Sequence, residues 1–121
     1  RELHLQDNRL TTLPASIGEL PLLRKLFLQN NALNKLPASL GKLKVLTELN
    51  LRNNFLEELP DIGGELSSVT DLDLRQNRLK NLPESITHLQ HLCKLDLRWN
   101  EIKENHPVIE TLRQRGCVVY V

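Results

Sequence analysis

Asp73 and Asp96 are the residues of this chain that most resemble catalytic machinery. Each stands between two leucines, in Leu72-Asp73-Leu74 and Leu95-Asp96-Leu97, and each has an arginine two residues on, Arg75 or Arg98. Two carboxylates held together can divide acid and base roles, provided a cleft removes water and splits their pKa values. His88 and His91 have a spacing that can bind metal, and Cys93 and Cys117 could form a bridge or a metal pair. Trp99, the only tryptophan, sits next to Arg98, and these two residue types commonly anchor protein interfaces. What these groups can do depends on the elements that position them.

Those elements repeat. Leu3, Leu26, Leu49, Leu72 and Leu95 are spaced by 23 residues, as are Leu5, Leu28, Leu51, Leu74 and Leu97. Asn8, Asn31, Asn54, Asn77 and Asn100 keep the step, and Leu-Pro pairs follow at Leu13, Leu36, Leu59 and Leu82. The unit is L-x-x-L-x-L-x-x-N-x-L-x-x-L-P-x-x-I-x-x-L-x-x. Its L-x-L core alternates with a period of two, which predicts a short strand with one buried face. Stacked copies form a parallel sheet. Each asparagine comes where the strand ends, so its amide is expected to satisfy backbone groups of its own turn and the next. Leu-Pro opens an extended or single-turn helical return, because proline fixes φ and lacks a donor. In the copy "LPDIGGEL" the apolar residue Ile62 comes one place early, and Gly63-Gly64 should make that return less helical.

The composition fits one such domain. In 121 residues there are 16 Lys plus Arg and 15 Asp plus Glu, so a net charge of +1 gives no reason to expect nucleic acid or a membrane surface as partner. Aromatic residues make up only 3% and methionine is absent, which leaves leucine to build the core. No apolar stretch approaches a membrane span, so no membrane insertion is expected. Two cysteines are too few for a disulfide-stapled secreted domain, and a reducing compartment with ordinary thiols is the preferred reading.

With these positions in view, the chain resembles the leucine-rich repeat proteins, in particular the 23-residue subclass with L-P-x-x-I-x-x-L outer segments. Similar repeats occur in intracellular Ras-pathway scaffolds, plant Ras-group repeat proteins, Roco-type GTPases and bacterial effectors. The resemblance implies an α/β right-handed solenoid, with a parallel sheet on the concave side and short helical or extended convex segments. It divides residues 1–121 into repeats at about 1–22, 23–45, 46–68, 69–91 and 92–114, with a capping strand in 115–121. It also implies a cytoplasmic location or, alternatively, an effector delivered into a host cell.

The two ends read differently. Asn105-His106-Pro107 opens a stronger helix with an apolar stripe of Val108, Ile109 and Leu112, and Gly116 stops it. Val118 and Tyr120 fall 23 residues after Leu95 and Leu97, so they should supply the core side of a closing strand. At the other end, Arg1 already lies inside the repeat pattern. The expectation is that the chain is part of a longer repeat protein, with an open edge prone to self-association.

Chemistry is then sought in the columns between the leucines. One holds Glu2, Lys25, Glu48, Asp71, Lys94 and Cys117; another holds His4, Phe27, Asn50, Asp73, Asp96 and Val119. Gln6, Gln29, Arg52, Arg75, Arg98 and Val121 form a third, and Asp7, Asn30, Asn53, Gln76 and Trp99 a fourth. Glu48, Asp71, Asp73 and Asp96 make an acidic cluster bordered by an arginine ladder of Arg52, Arg75 and Arg98. Either these charges neutralise one another, or they form a bipolar strip that orients a charged partner. Trp99 either anchors that partner or shelters the C-terminal cap, and Phe27 and Phe55 could extend an apolar contact. The acids lie side by side with no cleft, no catalytic motif is present, and His88 and His91 lack a further ligand. No catalytic residue, metal or cofactor is assigned. The expected function is non-enzymatic binding of a protein or peptide on the sheet face; the alternative is a regulatory or targeting segment of a larger signalling enzyme.

Overall fold

An L-x-L step on extended backbone sends both leucines to one face. The computed structural model, which describes residues 1–62 and 66–121, forms a short strand at each step. These are β1 (Glu2–His4), β2 (Lys25–Phe27), β3 (Glu48–Asn50), β4 (Asp71–Asp73), β5 (Lys94–Asp96) and β6 (Val118–Tyr120). They hydrogen-bond in chain order as one parallel sheet. From β1 to β5 the register is one-to-one, pairing Leu3, Leu26, Leu49, Leu72 and Leu95 in succession. Behind the sheet, Leu26, Leu28, Leu49, Leu51, Leu74, Leu95 and Leu97 are buried, while Leu3, Leu5 and Leu10 at the β1 end are only partly so.

The returns follow a three-residue rhythm. Pro14, Ile17, Leu20 and Leu23 are each three apart, as are Pro37, Leu40, Leu43 and Leu46, and Pro83, Ile86, Leu89 and Leu92. Three residues per turn is the period of a 3-10 helix, where side chains at i and i+3 eclipse. Short 3-10 helices accordingly span Ala15–Glu19, Ala38–Lys42 and Glu84–His88. In the third, Ile86 N–H donates to the Pro83 carbonyl, Leu89 to Ile86, and Leu92 to Leu89. Each backbone bond thus sits beneath an apolar side chain facing the strand leucines. The expectation of a less helical return at Gly63-Gly64 lies outside the described residues.

The asparagines join turns in one direction. Asn77 accepts from Leu56 N–H and donates to the carbonyls of Leu51 and Leu74 at 3.1, 2.9 and 3.1 Å. Asn31, Asn54 and Asn100 repeat this pattern. Each therefore bonds its own turn and the preceding one, not the next as expected. The side chain leaves its strand end facing the copy already stacked. Asn8, in the first copy, is exposed and donates only to Leu5 and Gln6.

At the far end the expected cap is present as α1 (Pro107–Gln114), which buries Val108, Ile109 and Leu112. Its N-cap is His106, whose Nδ1 accepts from Val108 N–H. The closing strand departs from expectation by one residue: Lys94, Leu95 and Asp96 pair with Val118, Val119 and Tyr120. Cys117 and Val119, expected to face out, are buried; Val118, Tyr120 and Val121, the first two expected on the core side, are exposed. A true α-helix ended by Gly116 at φ 93° uses one more residue than a 3-10 return, so the step becomes 24. Arg113 and Arg115, at the C-terminal end of α1 where the helix dipole favours cations, also tie the cap down. Arg113 donates to the Val119 carbonyl, and Arg115 to the carbonyls of Thr87 and Leu89.

Candidate binding face

The column of Asn50, Asp73 and Asp96 closes each strand. Asn50 Oδ1 accepts the N–H of Arg52, Asp73 Oδ1 that of Arg75, and Asp96 Oδ1 that of Arg98, at 3.1, 3.1 and 3.2 Å. Asn and Asp do this well because their short side chains reach a backbone donor two residues on. The two aspartates therefore have structural work, a role already visible in the Asn50 that shares their column.

Both oxygens of each carboxylate also accept from an arginine side chain. Arg75 grips Asp73 with Nε at 3.0 Å and Nη2 at 2.6 Å, and its Nε also lies 3.4 Å from Asp96. Arg98 holds Asp96 through Nε at 3.0 Å and Nη2 at 2.7 Å. Asp96 is only 2% exposed. Burial pushes its pKa up, but the Arg98 hydrogen bonds and the charges of Arg98 and Arg75 outweigh that and hold it below the usual carboxylate range. Hydrogen bonds to Asp73 and Asp96 raise Arg75 and Arg98 in turn. A general acid needs the opposite shift. The hollow between these groups, lined by Glu48, Asn50, Asp71, Asp73, Lys94 and Asp96, measures about 80 Å³, too small to enclose a substrate.

The fourth column is a row of left-handed turns. Asp7, Asn30, Asn53, Gln76 and Trp99 have φ between 56° and 64°. Asp and Asn tolerate this backbone, and here they form a ladder in which Asn30 donates to Asp7 and Asn53 to Asn30. Gln76 instead accepts from Arg52 Nε at 2.9 Å. Trp99 is 61% exposed, its ring 5.6 Å from the Arg98 guanidinium carbon and 5.9 Å from that of Arg52. Arg52 follows β3, two turns before Trp99, so the ring leans back along the stack and not across the cap.

Tyr120 joins this group because of the shifted register. Its ring lies 5.1 Å from the Arg98 guanidinium and 5.9 Å from Lys94 Nζ. Column reading missed it by placing Val119 there. Phe27 and Phe55 stand apart. Phe27 stacks on His4 at 4.6 Å near the opposite end of the sheet, and Phe55 lies beyond the strands under Arg78 at 4.4 Å. Glu48 faces Lys25 at 3.8 Å, and Asp71 is exposed without an ion pair among the described residues. Cys93 is an exposed free thiol; Cys117 is buried, which raises its pKa. Among the described residues, no three His, Cys, Asp or Glu are placed to hold a metal, and no helix is long and apolar enough to cross a membrane.

A family model for the leucine rich repeat matches residues 1–56 and 44–102. The chain belongs to the leucine-rich repeat family. Its solved relatives share the repeat stack. A leucine-rich repeat protein of Leptospira interrogans is similar at 36% identity and TM-score 0.90, over 98% of this chain and 30% of that one. The Drosophila Toll–Spatzle complex matches at 33% identity and TM-score 0.78, over 91% of this chain and 15% of that one. The TLR13–ssRNA13 complex matches at 27% identity and TM-score 0.84, over 98% and 18%. This leucine-rich repeat chain thus spans less than a third of the length of each of these three. Among curated protein sequences, none matches.

Proposed function

We propose that the chain is a non-enzymatic binding module that presents its sheet face to a protein or peptide, with Trp99 as the anchor. The observation that carries this is the choice of tryptophan at a left-handed turn that the other copies fill with Asp, Asn or Gln. A left-handed conformation costs an ordinary side chain roughly 1–2 kcal/mol, and it exposes 61% of a residue type that packing would hide. Such strain is retained where it serves a site. The neighbours Arg98, Arg52 and Tyr120 complete the set of residue types that dominate interface energetics. Leucine-rich repeats commonly serve protein–protein interaction, and one similar structure is Toll in complex with Spatzle. The stiff stack loses little entropy on association, so modest contacts suffice for specificity.

Selection of a random displayed-peptide library on the chain tests the reading. Recovered ligands should shift the emission of Trp99 and bind Trp99→Asn at least about tenfold more weakly. Ligands that bind the chain and Trp99→Asn equally would refute the site.

A further inference from the structure

We infer that the partner of this face is an acidic, extended segment whose carboxylates meet Arg52, Arg98 and Lys94 around an apolar residue held by Trp99 and Tyr120. This deepens the preceding proposal and rests on it. Four close cation–ring approaches link the five residues into one strip: Arg52–Trp99, Arg98–Trp99, Arg98–Tyr120 and Lys94–Tyr120.

The sign of the partner follows from which charges are already spent. Asp73, Asp96, Arg75 and Arg98 close on one another, and the carboxylate of Asp96 lies beneath the surface at 3% side-chain exposure. What remains unpaired on this part of the face, among the described residues, is Arg52, Lys94 and Asp71. Two cations stand against one acid. Arg52 is held through Nε by Gln76, and its two Nη atoms donate to no described group. They form a prepositioned fork, and a carboxylate fits such a fork with two parallel hydrogen bonds. Arg98 keeps 42% of its side chain exposed, so it can share its charge outward as well. Every strand of the strip except its last is paired on both sides, so recognition must come from side chains and not from strand addition. Residues spread from the turn after β3 to β6 suit an extended segment better than a compact one.

Arginine and tryptophan also suit nucleic acid, and TLR13 is seen with ssRNA13. The observations favour peptide. Asp71 and Glu48 lie on the same face, and a chain of net charge +1 lacks the basic track that a run of phosphates requires.

The test uses Trp99 as its own reporter, since no other tryptophan contributes emission. Four probes are titrated: a short synthetic peptide with Asp and Glu flanking a leucine, its Asn/Gln isostere, its lysine counterpart, and a single-stranded RNA. The acidic peptide should bind at least about tenfold more tightly than its isostere, and it should weaken as salt rises. Arg52→Ala should lower its affinity about tenfold while costing little stability, on the scale of one exposed cation–ring contact, because that guanidinium neutralises no described acid. Equal binding of the isostere or the lysine peptide overturns the inference, as does an unaffected Arg52→Ala or silence from every probe. Tighter binding of RNA overturns it in favour of nucleic acid. A neutral library-selected ligand that still requires Trp99 would remove the acidic partner and leave the binding face standing.

Discussion

The ring of Trp99 lies 5.9 Å from the guanidinium carbon of Arg52, although the two residues follow strands two turns apart. The tryptophan reaches over the intervening Gln76, which itself holds Arg52 in place. Between Leu-Asp-Leu-Arg-Gln-Asn and Leu-Asp-Leu-Arg-Trp-Asn the one altered residue is thus the one that stands on the surface.

Trp99→Asn should consequently cost little stability. Asparagine tolerates the left-handed backbone, which recovers about 1 kcal/mol; the lost cation–ring contacts are worth about 0.5–1 kcal/mol each at exposed sites. The two changes roughly cancel, and urea unfolding should place the variant within about 1 kcal/mol of the parent. A loss above about 3 kcal/mol, the scale of a core truncation, would show that Trp99 is a packing residue and remove the argument for function.

Asp96 sets a pH dependence. Its folded pKa is below its unfolded value, so its stabilising contribution is complete above about pH 4 and disappears as pH falls through the lower folded value. Asp96→Asn keeps an acceptor for Arg98 N–H, as Asn50 does for Arg52, but leaves Arg75 and Arg98 without their shared carboxylate. It should lose roughly 2 kcal/mol at neutral pH. The gap should narrow in chemical denaturation below about pH 4. Parallel stability curves for the two chains down to acid pH would contradict this assignment.

The asparagine ladder gives a graded series. Asn77→Ala removes four hydrogen bonds and strands one N–H and two carbonyls in buried surroundings, so roughly 3 kcal/mol or more should be lost. Asn8→Ala removes two exposed bonds that water can replace, and about 1 kcal/mol or less is expected. Equal effects would mean that the amides do not work by sealing the interior.

Most of the architecture was open to reading because one residue type does one task at each position. The leucine columns predicted the one-to-one register of β1 to β5, although each strand centres on the first leucine of its L-x-L step, and the asparagine column marked the turn after each strand. The three-residue rhythm of Ile86, Leu89 and Leu92 already encoded a 3-10 helix, although proline alone suggested only an extended or single-turn return. The last strand slipped by one because α-helical winding changes the step, and that hid Tyr120. At the site, the columns predicted which residues share a face. Which arginine grips which aspartate depends on rotamers that no column reveals. Asp7, Asn30 and Asn53 are residue types that favour left-handed turns, a signal the column reading did not use, and Trp99 stands in their column.

Gly18 and Gly41 occupy the same place in successive returns, yet they should respond differently to alanine. The first two 3-10 helices pack against each other, and a Cβ built on Gly18 overlaps the backbone carbonyl oxygen of Ser39. A Cβ on Gly41 meets its nearest neighbour, Ile62, at 3.7 Å, an ordinary van der Waals contact. Backbone cannot rotate away as a side chain can, so Gly18→Ala must push the first return outward, at a cost of about 1–3 kcal/mol. Gly41→Ala should be neutral or slightly stabilising, since alanine has less backbone freedom to lose on folding. Thermal unfolding of the pair is the check. If Gly41→Ala proved as damaging as Gly18→Ala, the returns would not pack at the spacing described.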